Sequence, residues 1–340
     1  MKNFSIGFNK STGYLLFFLG ISLFISILIY FGIDDVLSAL KMIGFGLFLV
    51  SFSHIAPLIL DSIAWQLLFI QKKVPGLLLL IKARWVGESI NSLLPAVQIG
   101  GDLVRARMLT TRGYPVSSSG ASVLVEITLA LITQLIFSIF GICGLIYLGH
   151  KGIVKQAIFA TCLLSLGALG FFLVQKKGIW QRLLNILSLI VSKDKLQGIS
   201  VDAKALDEAI LDIYTHKWII FKSSLWRLIG WFSGALEVWI TLVFLHTKLG
   251  LFEAILIESL CQVIRGMAFF VPGAYGIQEG GMVLLGKLLG LSPEFALGLS
   301  LAKRFRELTL GIPGLIAWQI EEGRLFLRKR NVKENKNESK

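Results

Sequence analysis

The sequence predicts an all-α, polytopic integral membrane protein with about six transmembrane helices and two re-entrant broken-helix hairpins in an inverted repeat. Three observations carry that expectation. Of 340 residues, 55% are hydrophobic and only 16% charged, with a mean hydropathy of +0.74, too apolar for a globule whose surface must face water. The apolar residues gather into runs long enough to cross the ~30 Å hydrocarbon core as helices, and too uniform for the alternating strands of a barrel. Two further apolar runs break in the middle at a proline with glycines close by.

In chain order, the first run spans residues 13–31; it carries no charge and is followed by no small-residue cleavage site, so it reads as a retained span and not as a signal peptide. Further spans are expected at 42–70, 115–149, 156–174, 228–245 and roughly 295–320. The broken runs occupy 76–112, with its break at Pro95, and 254–290, with its break at Pro272. Residues 175–222 mix apolar and charged side chains and read as an amphipathic cytoplasmic segment. Residues 1–323 form one transmembrane domain, and the basic tail 324–340 is expected to be disordered.

The charge pattern sets the topology. A net charge of +13 raises the question of nucleic acid, but the basic residues flank the spans and do not form one basic domain, which points to membrane lipids as partners and to no nucleic acid. With the N-terminus inside, 25 of the 34 Lys and Arg residues fall on the cytoplasmic side: two before the first span, seven in 71–112, nine in 175–227 and seven from Arg324 onward. Six fall outside, namely Lys41, Lys151, Lys155, Lys248, Arg265 and Lys287, and three lie within the last span. Both termini are therefore expected in the cytoplasm of a bacterial cell with the protein in its inner membrane. Reporters active only in the periplasm should be silent when fused at Asn3 or at Lys340, and strong activity at either end refutes the orientation.

The hairpins resemble one another. Glu88-Ser89 precedes Pro95 and Gly100-Gly101-Asp102, while Glu258-Ser259 precedes Pro272, Gly273, Gly276 and Glu279. In each, an acid stands seven residues after the proline. A proline break followed by glycines opens helix N-terminal N–H groups that bind anions. Asp102 and Glu279 either cap those groups or, with them, handle a lipid head group, and a pairing of the two acids across a central cavity alongside Arg304 and Arg306 is the sharper expectation. Arg105 and Arg112, seven apart, are expected to share a helical face, as anchors or as phosphate contacts.

Within the last span Lys303, Arg304, Arg306 and Glu307 fall on an arc of about 160°. Each charge costs about 2.5–3.5 kcal/mol at mid-membrane, so the four should face the bundle interior, with Lys303 and Glu307 neutralising each other in part. Arg265 should line the same cavity. Asp61, Glu126 and Glu237 are lone acids in apolar runs, with the interior arginines as natural partners. His54 has no companion at ligand spacing and reads as structural, and Cys143, Cys162 and Cys261 read as small hydrophobes. No nucleophile set, P-loop or dinucleotide motif stands in a credible context, so no enzyme, cofactor or metal is expected.

At these residues the chain resembles the flippase-like transmembrane family named for the membrane region of lysylphosphatidylglycerol synthase, over roughly residues 10–325. Trp85 to Pro95, Gly100-Gly101-Asp102, Phe270 to Gly281, Lys303 to Leu308 and Gly311-Ile-Pro-Gly314 carry the likeness, and are similar to the subgroup encoded with hopanoid biosynthesis genes. The family often has glutamate where Asp102 stands. The resemblance implies a core that moves lipids between leaflets or presents them for transfer, with hopanoid favoured and with lipid-biosynthesis or transport proteins as further partners; the alternatives are a membrane-embedded lipid-phosphate enzyme and a non-catalytic scaffold of a lipid-biosynthesis complex. It also implies no lysyl-lipid synthesis, since the aminoacyl-transferase domain of some relatives has no counterpart in this sequence.

Overall fold

In hydrocarbon every backbone N–H and C=O must find a partner within the protein, and the helix supplies those partners locally. The computed structural model describes residues 33–70, 73–94, 100–178, 193–268 and 271–338, with residues 22, 25, 26 and 29 before them. Among these residues every regular element is helical. The helices are α1 (Ile33–Ile43), α2 (Gly46–Ser53), α3 (Ile55–Leu67), α4 (Leu77–Leu93), α5 (Gly100–Thr110), α6 (Val116–Tyr147), α7 (Lys151–Lys176), α8 (Lys193–Thr215), α9 (Lys217–Phe244), α10 (Leu251–Met267), α11 (Ile277–Leu288) and α12 (Pro293–Glu338). A 3₁₀ turn, Pro272–Ala274, joins α10 to α11.

Four stretches are long and apolar enough to cross a membrane: Gly46–Leu67, Val116–Tyr147, Gly152–Lys176 and Lys217–Phe244. They answer to the second, third, fourth and fifth expected spans. Of the first expected span only residues 22, 25, 26 and 29 are described, and Pro95 lies outside the described residues. The second span divides into α2 and α3 at His54, because Pro57 has no N–H to donate to the Ser53 carbonyl. The fifth starts at Lys217 and not at 228, so the end of the segment read as cytoplasmic is the first part of a membrane-length helix. Lys222 and Arg227 had marked it as a flank. The last helix runs for 46 residues, about 69 Å, and does not end at 323. From Arg324 to Glu338 there is neither glycine nor proline to stop it.

Burial follows the logic of a lipid solvent. Phe159, Leu166 and Tyr147 are exposed on the outside, whereas Arg84, Arg105, Glu126, Glu237, Lys303 and Arg304 are buried. The exterior apolar surface and the charged interior reverse the arrangement of a water-soluble bundle. Of the amphipathic segment, α8 buries Ala203 and sets Ile210 and Ile213 in the cluster around Trp65, Leu80 and Val125.

Helix α12 orders the two hairpins like a ruler. At its far end Glu321 holds Lys82 (2.6 Å) and Arg112 (2.7 Å), and Glu322 holds Arg107 (2.7 Å), so both feet of the α4/α5 pair stand beside 321–322. Higher up, Ser89 meets Gly314 and Leu93 meets Gly311. From the other end Gly286 meets Ala296, Gln278 donates to the Ser300 hydroxyl (3.0 Å), and the Gly273 carbonyl accepts from Arg304 (2.9 Å). The α4/α5 and α10/α11 pairs therefore approach from opposite ends of the bundle, and Leu93 near the end of α4 and the Pro272–Ala274 turn both stand against α12 between Arg304 and Gly311. There a Cβ on Gly273 would sit 3.3 Å from the Ser92 carbonyl oxygen. Gly273 and Gly276 adopt φ of +63° and +77°, which only glycine takes at no steric cost.

The first hairpin closes on a glycine pair. Asn91 Oδ1 accepts the Gly101 N–H at 2.8 Å, and a Cβ on Gly101 would lie 2.0 Å from the Gly87 carbonyl oxygen. Gly101→Ala should cost about 1–3 kcal/mol through overpacking. A lowered melting midpoint in detergent checks it against Gly152→Ala, where a Cβ meets nothing within 4 Å. Equal midpoints for the two variants would remove the close contact from the account.

Candidate functional site

The hairpins, α3, α6, α9 and α12 bring charged residues together in the protein interior. Around the first hairpin the centre is Glu126 on α6. One of its oxygens takes Arg84 from α4 and Arg227 from α9 (3.1 Å), and the other takes Arg105 from α5 (3.0 Å). Asp61 on α3 pairs with Arg227 and, at 3.7 Å, with Arg84. Asp102 holds Arg105 at 2.5 Å, and Arg84 also faces Glu88 at 3.7 Å. The guanidinium of Arg105 lies over the Trp65 ring and that of Arg227 over Trp231, which supplies cation–π contact in the protein interior.

Around the second hairpin α12 contributes three of the cations and α10 the fourth, Arg265. Lys303 binds Glu258 (2.6 Å) and Glu237 (3.4 Å). Arg304 reaches Glu279 through Nε (2.9 Å), Glu307 through Nη1 (2.8 Å) and the face of Tyr275. Arg306 approaches Glu237 at 3.4 Å, and Arg265 donates to Gln278 (2.9 Å) and Glu307 (3.3 Å). Glu279 also caps its own helix, accepting from the Gly276 N–H at 2.7 Å and from the Ser300 hydroxyl at 3.1 Å. Capping and ion pairing are thus both true of Glu279.

His54 joins the two halves. At the α2/α3 break its Nδ1 lies 2.5 Å from Glu237 and its Nε2 lies 3.2 Å from Glu88. With Arg306 also standing 3.9 Å from Glu307, one connected network results, holding eight carboxylates (Asp61, Glu88, Asp102, Glu126, Glu237, Glu258, Glu279, Glu307) and seven cations of fixed charge (Arg84, Arg105, Arg227, Arg265, Lys303, Arg304, Arg306). Most of these side chains are buried; Glu88, with 39% of its side chain accessible, is the most open. Among the described residues no group of three His, Cys, Asp or Glu has the spacing to hold a metal ion.

The fold and its charged seam can now be set beside known proteins. The family described as lysylphosphatidylglycerol synthase TM region matches residues 17–314, a stretch that contains every member of the network. The chain belongs to that family. Neither the curated proteins nor the solved structures yield a match. Membership makes it a membrane, lipid-related protein, in keeping with the apolar helices and the inverted burial.

For this family member the interior direction of Lys303, Arg304, Arg306 and Glu307 was readable from helical geometry, and all four belong to the network. Their partners differ from expectation. Lys303 and Glu307 do not neutralise each other: Lys303 turns to Glu258 and Glu237, and Glu307 takes Arg304 and Arg265. Asp102 and Glu279 do not form one site, since Asp102 holds Arg105 while Glu279 holds Arg304 in the other half. Arg105 and Arg112 also part company. Helix α5 ends at Thr110, so Arg112 lies beyond it at the bundle end with Glu321. Gly311 and Gly314 serve packing against Leu93 and Ser89.

Three residues escaped the sequence reading. Arg84 and Arg227 sit where positive-inside flanks were expected, and His54 had no neighbour in sequence to mark it. The available signal for Arg84 was its placement four residues before Glu88, one face of a helix inside an apolar run.

Proposed function

We propose that the chain moves a lipid between leaflets of a bacterial inner membrane, handling the polar head group at the charged seam between the hairpin tips. One observation carries the reading: the interior holds a connected network of eight carboxylates and seven fixed cations. Burying ion pairs rarely stabilises a fold better than packed hydrophobes of the same volume. At a few kcal/mol for each intramembrane charge, such a network is a burden a mere scaffold would not need. Arg105 Nη1 and Arg304 Nη2 are buried and have no hydrogen-bond partner among the described residues, leaving donors for an anionic head group.

The two hairpins support the same reading. At 11 and 12 residues, α5 and α11 reach only about 16–18 Å, too short to cross the hydrocarbon, so we read both pairs as re-entrant from opposite faces. Broken helices meeting at mid-depth are the arrangement in which alternating access is built. We read the protein as a transporter and not an enzyme, because among the described residues its buried ionisable groups are spent on one another. A polycyclic hopanoid-type lipid is the first substrate to try, on the strength of the motif resemblance.

The test uses full-length protein in liposomes carrying NBD-labelled phosphatidylglycerol and, separately, an NBD-labelled hopanoid. Dithionite should bleach label beyond the outer-leaflet share seen in protein-free vesicles. Bleaching equal to that of empty vesicles for both probes would overturn the reading.

A further inference from the structure

The network is one positive charge short. Eight carboxylates face seven cations of fixed charge, and the remaining titratable member is His54, the one link between the two halves. Its surroundings are unusual. Nδ1 lies against Glu237 at 2.5 Å on α9, and Nε2 faces two partners of opposite kind: the Glu88 carboxylate on α4 at 3.2 Å, and Nη1 of Arg306 on α12 at 3.5 Å.

A neutral imidazole donates through one nitrogen and accepts through the other, whereas an imidazolium donates through both. With His54 protonated, Nδ1–H serves Glu237, Nε2–H serves Glu88, and the network balances at eight against eight. With His54 neutral, Nδ1–H still serves Glu237, while Nε2 accepts from Arg306. Both states have partners already in place. A purely structural histidine needs only one.

The access is graded as well. Glu88 is the most open side chain of the network, His54 is less open at 18%, and Glu237 is buried at 3%. Lys303 and Glu258 lie behind Glu237. A proton delivered to the Glu88 carboxylate from one side passes to Nε2 of His54 and is returned through Glu88 after the lipid-moving exchange has turned Glu88 to the other side, so one proton crosses and no other bond is made or broken. When it leaves, the tie between the hairpin carrying Glu88 and helix α9 is lost, and Nε2 is free to turn to α12.

We propose that His54 is an exchangeable proton site, loaded through Glu88, and that its occupancy switches the contact between the two halves so that lipid movement is coupled to a proton gradient. The coupling rests on the lipid-moving reading above; the proton site does not.

Two measurements on the full-length protein separate them. In lipid nanodiscs, ¹⁵N-histidine spectra should show His54 changing protonation state between pH 5 and 8, its signal being the one lost in His54→Gln. A single protonation state across that range overturns the proposal whatever the lipids do. In proteoliposomes with NBD-phosphatidylglycerol, a one-unit pH difference is a tenfold ratio of proton activity, so one proton moved per lipid shifts the leaflet distribution by up to about tenfold. His54→Gln, recovered folded in the membrane, should lose this response, and Glu88→Gln should slow the approach to the shifted distribution. Movement by the wild type that ignores the gradient, or an equal response in His54→Gln, sinks the coupling. No movement by the wild type under any gradient, with His54 still titrating, removes the lipid-moving reading and leaves the proton site standing.

Discussion

Glu126→Gln should be among the most destabilising single substitutions in the chain. The carboxylate is buried and stands between three guanidinium groups, Arg84 and Arg227 on one oxygen and Arg105 on the other. Glutamine keeps the shape but offers one acceptor and one donor, so on one side an N–H would face an arginine N–H. Breaking a buried pair in this way costs about 3–5 kcal/mol, because the orphaned charges have no water to turn to. Three helices lose their common partner at once. The expected result is a large drop in the melting midpoint in detergent, or protein that fails to accumulate in the membrane. Glu88→Gln provides the contrast: its side chain is the most open of the network, its fixed cation is 3.7 Å away, and glutamine keeps an acceptor oxygen for His54 at 3.2 Å, so the fold should tolerate it. If the Glu126 variant melts where the wild type does, Glu126 is not the centre of that half.

How far this site could be read in advance depended on range. Helix periodicity fixes which way a side chain points, and it was enough to turn Lys303, Arg304, Arg306 and Glu307 inward. It does not say what they meet. The partners of His54 on α4 and α9 lie 34 and 183 residues away, and no local pattern marks either pairing. Arg227 was hidden for a related reason. Beside Lys217 and Lys222 it resembles the basic edge of a span, and only the continuous helix from Lys217 to Phe244 carries it into the protein, against Asp61. The break at Pro272 with its glycines was legible because its cause is local, an absent N–H at Pro272 and the positive φ of Gly273 and Gly276. That the end of α4 and the Pro272–Ala274 turn would both meet α12 between Arg304 and Gly311 required all three elements to be placed together.

Asp102 and Glu279 occupy matching offsets in the two hairpins, yet their amide variants should behave differently. Glu279 is fully buried and serves three donors: the Gly276 N–H at the start of its own helix, the Ser300 hydroxyl, and Nε of Arg304. Glu279→Gln retains one carbonyl oxygen for these and places an amide donor among them, so it should lose about 3–5 kcal/mol. The protein should be recovered poorly, and its lipid activity would then report on folding alone. Asp102 is partly accessible, at 19% of its side chain, and has one cation, Arg105, which Glu126 also holds. Asn at this position keeps an acceptor oxygen for Arg105, and the arginine keeps a full counter-charge, so Asp102→Asn should cost no more than about 1 kcal/mol. The variant should fold and reach the membrane, which makes it the cleaner test of whether this carboxylate acts on lipid. Under the lipid-moving reading, Asp102→Asn at wild-type expression should slow NBD-lipid movement by tenfold or more, because it leaves Arg105 more positive toward a bound head group and harder to release. Movement at the wild-type rate would assign Asp102 to positioning Arg105 and nothing else. A strong loss of folded protein in Asp102→Asn, matching that of Glu279→Gln, would show instead that the two hairpins depend on their acids in the same way.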